Sequence, residues 1–442
     1  MSTPEGRASN DRRILRTLAA KYKDFADRVA PGRVQAWRAH NDLQGGRPLL
    51  LFYPEGSWNE ILPPSSLACE EPLARKIEFR LRARLAHQDR LPDDLPLEAR
   101  WDVDKAYGLS AWHPGAVSPG SFANRWELDS AVGYYPDVWR TDRPPFRGDA
   151  ARFVPVLLGV GDARHLVKPA WEYDETGTMR EYRFAQEVFD GIMPVRLRGL
   201  RHLSLHVTGV YSTLRGLEQM YYDMSDHAAF MHDTLWHITE SSIALVREAE
   251  GLGMLDDNAD LSYQSSGGVG YTSDLPRGGG NCRSSGTVLL RDMWGSAESQ
   301  EMAAVSPEMH EEFAMQYESR FLSLFGLTGY GCCDDLTRKT DRVLRLPGIR
   351  RVSVSPWADI ETCARAFGRR AIVSIKPNPA MFAGDSYDGT AAASVIRKAA
   401  RAAAGSPVEV IVKDVHTCRN DVGRFRAFAE AFYAAFAEGA VR

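Results

Sequence analysis

The sequence predicts an α/β fold in the form of a (β/α)8 barrel. Its C-terminal half alternates β-like segments with helical patterns, which is the order expected of parallel βα units. The predicted strands are 327–331, 351–355, 371–376 and 408–415, and the helical patterns between them are 336–346, 358–367 and 391–404. A doubly wound dinucleotide-binding sheet competes with the barrel. It is disfavoured because the nearest glycine motif, Gly159-Val160-Gly161, continues as Asp162-Ala163-Arg164 and so fails.

The other elements follow from caps and apolar spacing. Residues 1–44 predict a charged N-terminal helical extension, and residues 45–442 predict the barrel with long loops. Ser225-Asp226 predicts the start of a helix that ends near Gly251, because apolar residues follow at three- and four-residue spacing. Ser306-Pro307 is a cap and first-turn pair, and Asp421 opens the last predicted helix.

Composition bounds the class of protein. The chain has 442 residues, 44% hydrophobic and 25% charged, with a net charge of -4. A nucleic-acid-binding protein normally has a basic excess, so no nucleic-acid partner is expected. The apolar runs are too short to span a bilayer and the N-terminus is charged throughout, which predicts a cytoplasmic protein with no membrane partner. The six cysteines, at 69, 282, 332, 333, 363 and 418, are expected as thiols or metal ligands.

Polar residues follow each of the four predicted strands, and in a barrel these strand ends share one face. The segments are Tyr330-Gly331-Cys332-Cys333-Asp334-Asp335, Ser353-Val354-Ser355-Pro356-Trp357, Ser374-Ile375-Lys376-Pro377-Asn378-Pro379 and Lys413-Asp414-Val415-His416-Thr417-Cys418. His416 and Cys418 are two residues apart, so they point to one side of a strand. With Cys332 or Cys333 they predict a Zn²⁺ site. The alternative is a set of buried thiols with a hydrogen-bonded histidine.

Other residues at these strand ends predict acid, base or anchoring roles. Lys376 is a candidate anchor for an anionic substrate group, or a surface salt bridge. Asp335 is a candidate acid/base group or a helix cap, and Glu55, in the predicted strand Leu50–Gly56, is a second acid/base candidate. His202 and His206 flank an apolar strand, and the prediction for both is a core position.

Several short motifs, in this order along the chain, resemble the uroporphyrinogen decarboxylase superfamily. They are Val210-Tyr211-Ser212-Thr213-Leu214, Glu218-Gln219-Met220-Tyr221-Tyr222-Asp223-Met224, Trp294-Gly295-Ser296-Ala297-Glu298-Ser299-Gln300, Ser306-Pro307-Glu308-Met309, the Tyr330–Asp334 stretch and Lys376-Pro377-Asn378-Pro379. The resemblance implies a (β/α)8 barrel from about Arg47 to the C-terminus. It is nearer to the corrinoid-dependent methyltransferases than to the decarboxylases, because Leu50–Gly56 lacks the arginine-rich motif of the decarboxylases.

In the methyltransferase branch, a His-x-Cys motif and a later Cys bind zinc. The resemblance places these at Tyr330-Gly331-Cys332 and Cys418, with Tyr330 in place of the histidine and His416 as a substitute ligand. It implies methyl transfer between a small methylated substrate, an aryl methyl ether or methylated amine, and a corrinoid (cobalamin). No Asp-x-His-x-x-Gly motif occurs, so the corrinoid comes from a partner protein or as a free cofactor. The alternatives are a decarboxylase of a tetrapyrrole or small acid, and a binding protein without turnover.

Overall fold

The computed structural model describes residues 4–114, 126–129, 133–136, 155–276 and 287–437. Cys282 lies outside these residues. Each element below is numbered in chain order. The strands are β1 Leu49–Phe52, β2 Trp101–Asp104, β3 Tyr107–Leu109, β4 Trp126–Asp129, β5 Gly133–Pro136, β6 Trp171–Tyr173, β7 Val195–Arg198, β8 Ser204–Leu205, β9 Tyr263–Gln264, β10 Gly268–Val269, β11 Trp294–Ala297, β12 Leu327–Tyr330, β13 Ile349–Val354, β14 Ile372–Ile375 and β15 Val408–Val412.

The helices surround these strands. They are α1 Pro4–Asn41, α2 Trp58–Ile61, α3 Pro72–Asp89, α4 Glu175–Phe189, α5 Val207–Arg215, α6 Leu217–Asp226, α7 Ala228–Gly251, α8 Pro307–His310, α9 Gln316–Leu322, α10 Thr340–Val343, α11 Ile360–Phe367, α12 Ala380–Ala383, α13 Gly389–Ala403 and α14 Gly423–Ala437. A π-helical turn, Glu311–Met315, joins α8 to α9. In the part of the chain that is described, none of them combines the length and the apolarity needed to cross a membrane.

The main sheet has seven parallel strands in the order β1-β15-β14-β13-β12-β11-β8. Consecutive strands of the C-terminal half are neighbours, and the last strand pairs with the first, Leu50 opposite Val410. That is the cyclic order of a (β/α)8 barrel with one position missing. β14 and β15 are buried at every residue, as expected of parallel strands covered by helices.

Carboxylates occupy the free edge of β1, where an eighth strand would close a barrel. The Leu50 amide donates to Asp94 at 2.9 Å, and the Phe52 amide donates to Asp93 at 3.0 Å. β2 and β7 form a separate two-stranded parallel sheet. The α/β class and parallel sheet of the prediction are therefore present, but no closed eight-stranded barrel is found among the described strands.

Helix α1 forms part of the protein core. Trp37 is fully buried and donates its indole N–H to the Asp94 carbonyl at 2.8 Å. At the end of α1, His40 lies 3.1 Å from Glu409 of β15. Asn41 donates to the carbonyls of Val269 and Tyr271. The C-terminal turn of α1 therefore fastens strand β15 to the loop that carries β10.

Local predictions differ from the structure in two places. The helix predicted over 336–346 is only one turn, α10 Thr340–Val343, because turns occupy both flanks. Asp226, predicted to start a helix, instead ends α6, and α7 begins at Ala228 after His227. Ser306 does cap its helix, since its hydroxyl accepts from the Met309 amide.

Candidate active site

A small cavity of about 90 Å³ lies at the carboxyl ends of β8, β11 and β12. We call it the strand-end cavity, and its lining residues are His202, Ser204, His206, Tyr263, Ser265, Ser266, Ser296, Ala297, Glu298, Gly331, Cys332 and Lys413. Among the described residues, the lining is mostly polar and contains one lysine and no arginine. Because parallel sheets place their ligands beyond the carboxyl ends of the strands, this cavity is the candidate site.

Two adjacent cysteines lie just beyond β12, and the first of them, Cys332, lines the strand-end cavity. Gly331, with φ 88°, ends β12 in the left-handed region, and a Cβ there would approach Leu336 to 2.9 Å, so only glycine turns the chain here. The sulfurs of Cys332 and Cys333 are 3.6 Å apart. The hydrogen bond between the two thiols lowers the pKa of Cys333 and raises that of Cys332. Cys333, the more exposed of the two, therefore ionises first.

Lys413 brings a buried positive charge to the strand-end cavity. Its Nζ lies 3.9 Å from Glu55 Oε1 and 3.8 Å from Asp414 Oδ1. Burial alone would lower the pKa of Lys413, but Tyr263 and these carboxylates outweigh it, so the pKa is raised and the ammonium persists. Burial raises the pKa of Glu55 to about 7, against the opposing effect of Lys413. Glu55 is thus a carboxyl group that exchanges its proton near neutral pH.

The backbone is strained at Glu55 and Asp414, which face each other at the ends of β1 and β15. Their φ values are 46° and 60°. Such conformations cost about 1–3 kcal/mol each in residues other than glycine and collect at functional sites. The two carboxylates lie 3.9 and 3.8 Å from the Lys413 ammonium.

Lys376 and Asp335, two other predicted catalytic residues, are not in the lining. Lys376 is buried and donates to Ser374 Oγ at 2.6 Å. Burial lowers its pKa to about 7. Asp335 accepts from the amide of Thr337 at 2.9 Å, so it stabilises a local turn. The structure brings Lys413, rather than Lys376, to the cavity.

Tyr330, the last residue of β12, is part of a buried chain of hydrogen bonds. Its hydroxyl donates to Glu318 Oε2 at 2.8 Å and lies 2.8 Å from His310 Nε2. Burial raises the pKa of Glu318 to about 8 and lowers that of His310 to about 3. Tyr330 is fully buried, and its hydroxyl group is hydrogen-bonded to Glu318 and His310. It does not line the strand-end cavity.

The predicted zinc ligands lie in different surroundings. Cys418 is buried, and its thiol donates to Glu60 Oε2 at 3.1 Å. Burial and Glu60 raise the pKa of Cys418 to about 12. His416 packs on Gly56, where an added Cβ would lie 2.7 Å from the His416 Cα. Neither residue lines the strand-end cavity with Cys332.

No three His, Cys, Asp or Glu side chains among the described residues are grouped so as to hold a metal ion. As arranged, the described side chains therefore do not fit a zinc ion. The zinc site stays a prediction.

A serine, a histidine and a glutamate on one wall of the cavity were not predicted as site residues. Ser204 Oγ lies 2.9 Å from His206 Nε2, and His206 Nδ1 lies 3.4 Å from Glu298 Oε1. Ser204 begins the two-residue strand β8, His206 follows that strand directly, and Glu298 follows β11 directly. The Ser-x-His spacing was a usable signal, since residues i and i+2 of a strand face one side.

Comparisons with known proteins add little. No family model matches the chain, and no curated protein matches it. Among solved structures, the chain is similar to a methyltransferase from Methanosarcina mazei, at 12% identity and a TM-score of 0.42, covering 91% of this chain and 97% of that chain. At this similarity, function has to be argued from the side chains.

Proposed function

We propose that this chain is a methyltransferase. It moves the methyl group of a small methylated compound, an ether or an amine, to a reduced corrinoid that is a co-substrate, carried by another protein or free. The observation that carries the proposal is the Lys413 ammonium in a small cavity at the strand ends. A buried positive charge beside a leaving oxygen or nitrogen stabilises the electron pair left on that atom when the bond to methyl breaks.

The size and charge of the cavity support a small substrate. Sites that enclose drug-sized ligands measure about 300–1,000 Å³, whereas this cavity measures about 90 Å³. A tetrapyrrole is larger still. The described lining also lacks the cluster of arginines that several carboxylates would require. Both points favour methyl transfer over tetrapyrrole decarboxylation.

The residues around the cavity have different roles in such a transfer. Lys413 faces the leaving atom, and Glu55, with a pKa of about 7, exchanges protons with Lys413 or with product. The bond from carbon to oxygen or nitrogen breaks with its electrons on that atom, and the new bond forms from an electron pair of the corrinoid.

The test of the proposal uses free reduced cobalamin as acceptor and methylcobalamin absorbance as readout. Donors are methoxybenzene and dimethylamine. Lys413→Met keeps the length of the side chain and removes its charge, so we expect the rate to fall by about 100-fold, as when one oxyanion donor is removed. Lys168→Met is the matched control, because Lys168 pairs with Glu248 on an exposed surface. Carbon dioxide release from a carboxylated compound, with no methylcobalamin from any donor, would instead establish the decarboxylase alternative.

Zinc is a separate part of the proposal, implied by the resemblance alone. Elemental analysis of the wild type, Cys332→Ala and Cys418→Ala tests it. About one zinc per chain in the wild type, lost in both variants, would establish a site that the present side-chain arrangement does not form. No zinc after soaking would remove the metal from the proposal and leave Lys413 as the electrophilic group.

A further inference from the structure

Ser204, His206 and Glu298 form a hydroxyl–imidazole–carboxylate row on one wall of the strand-end cavity. The hydroxyl oxygen is 2.9 Å from His206 Nε2, and Glu298 Oε1 is 3.4 Å from Nδ1. All three residues line the cavity. They come from two neighbouring strands, β8 and β11, whose pairing sets Ala297 beside Leu205. The row is therefore held by the sheet and not by a mobile segment.

The order of the groups determines what the row does. The Glu298 carboxylate lies on the Nδ1 side of the His206 ring and orients it. Nε2 then faces Ser204. When Nε2 carries a proton it donates to the serine oxygen, and the serine hydroxyl hydrogen is free to point into the cavity. A proton lost from the serine is replaced from His206.

We infer that Ser204, His206 and Glu298 are a proton relay to the leaving atom of the methyl donor, and that the donor is a methyl ether. This inference rests on the proposed function. In the transfer, the carbon–oxygen bond breaks with its electrons on oxygen, the Ser204 hydroxyl gives that oxygen a proton, and His206 returns one to Ser204. His206 is reprotonated from solvent, which its half-exposed side chain contacts. The product is an alcohol or phenol.

The lining of the cavity excludes the donors that need no proton. Sulfonium and quaternary ammonium compounds leave as neutral molecules, so a relay would serve no purpose for them. They are also cations, which the Lys413 ammonium repels. Quaternary ammonium ligands are normally bound in cages of several aromatic rings, whereas Tyr263 is the one Phe, Tyr or Trp side chain in the described lining.

A pair of ethers that differ in leaving-group basicity tests the relay. Phenolate is basic and needs a proton as it leaves, whereas 4-nitrophenolate leaves without one. With free reduced cobalamin as acceptor, we expect Ser204→Ala and His206→Gln to slow transfer from methoxybenzene by about 100-fold or more and from 4-nitromethoxybenzene by less than about fivefold, since general acid catalysis contributes about 10²–10⁴-fold. Glu298→Gln should show the same selectivity with a smaller loss.

The controls distinguish loss of the relay from damage to the fold and from failure of the proposed function. His227→Gln changes an exposed histidine outside the cavity and should leave both rates unchanged. Equal losses for the two ethers, or none, would overturn the relay while the methyl transfer by wild type stands. Transfer from tetramethylammonium but from neither ether would overturn the relay and its ether donor, and would leave a methyltransferase of another substrate. No transfer by the wild type from any donor would overturn the proposed function and the relay together.

Discussion

Glu409 and Glu55 are buried carboxyl groups on neighbouring strands, one within β15 and one just beyond β1, and their surroundings differ. Glu409 accepts from Arg351 at 3.0 Å and from Ser374 at 2.5 Å, and lies 3.1 Å from His40. Glu55 has the Lys413 ammonium at 3.9 Å. Burial raises the pKa of Glu55 to about 7, whereas Arg351 and His40 overcome burial and hold the pKa of Glu409 well below its usual range.

The comparison shows how one sheet uses buried charge in two ways. The Glu409 carboxylate has a structural role, because partners in fixed positions compensate its charge. The Glu55 carboxyl group is only partly compensated, so it gains and loses a proton near neutral pH beside Lys413 of the strand-end cavity. The predictions below test this contrast, from the largest expected effect to the smallest.

Breaking the paired carboxylate should cost the most stability. Glu409→Gln leaves the Arg351 guanidinium buried without a counter-charge, and we expect the free energy of unfolding to fall by about 3–5 kcal/mol. Urea unfolding followed by circular dichroism measures it. A loss below about 1 kcal/mol, the range of exposed pairs, would mean that the pairing at Glu409 does not differ from a surface pair.

Glu55 should make the stability depend on pH. Its folded pKa of about 7 lies above the ordinary 4.5, so the folded state keeps the proton to higher pH than the unfolded chain does. The free energy of unfolding should therefore fall as the pH rises from 4.5 to 7, by up to about 3 kcal/mol. Glu55→Gln, which mimics the protonated group, should make this decrease smaller, while Glu361→Gln keeps it in full. The same slope in both variants would contradict the assignment.

The cysteines should differ in reactivity by at least about tenfold, because the thiolate is the nucleophile. Iodoacetamide should label Cys333 before Cys418, since the hydrogen bond with Cys332 lowers the pKa of Cys333, whereas burial and Glu60 raise that of Cys418 to about 12. Peptide mapping at timed intervals measures the order. Cys332→Ala should slow the labelling of Cys333, and Cys363, buried elsewhere, is the internal control. Labelling of Cys418 as fast as Cys333 would show that Glu60 does not hold its thiol.

An exposed pair should have the smallest effect. Arg401 contacts Glu361 on the surface, with side-chain exposures of 59% and 34%. Glu361→Gln should change the free energy of unfolding by less than about 1 kcal/mol, measured in the same urea series as Glu409→Gln. A loss comparable to that of Glu409→Gln would remove the distinction between buried and exposed pairs in this protein.

Part of this organisation was predictable from local pattern. β12, β13, β14 and β15 were predicted within a few residues, because apolar runs between helical segments are short-range signals. The position of Cys332 directly after a strand followed from the same pattern. The absence of an eighth strand from the main sheet was not predictable, because closure of a barrel depends on how far the sheet curves. Asp93 and Asp94, which occupy the edge of β1, come from a segment about forty residues further along the chain.

The sequence by itself determined the α/β alternation and the polar residues that end each strand, since both are encoded within about ten residues. Only the tertiary structure decided which of those residues share a cavity. Lys376 ends β14 yet turns to Ser374, whereas Lys413 reaches the cavity from β15. Glu298 meets His206, more than ninety positions earlier, through the pairing of β8 with β11. Such contacts depend on register and side-chain direction, because a shift of one residue turns a side chain to the other face of its strand.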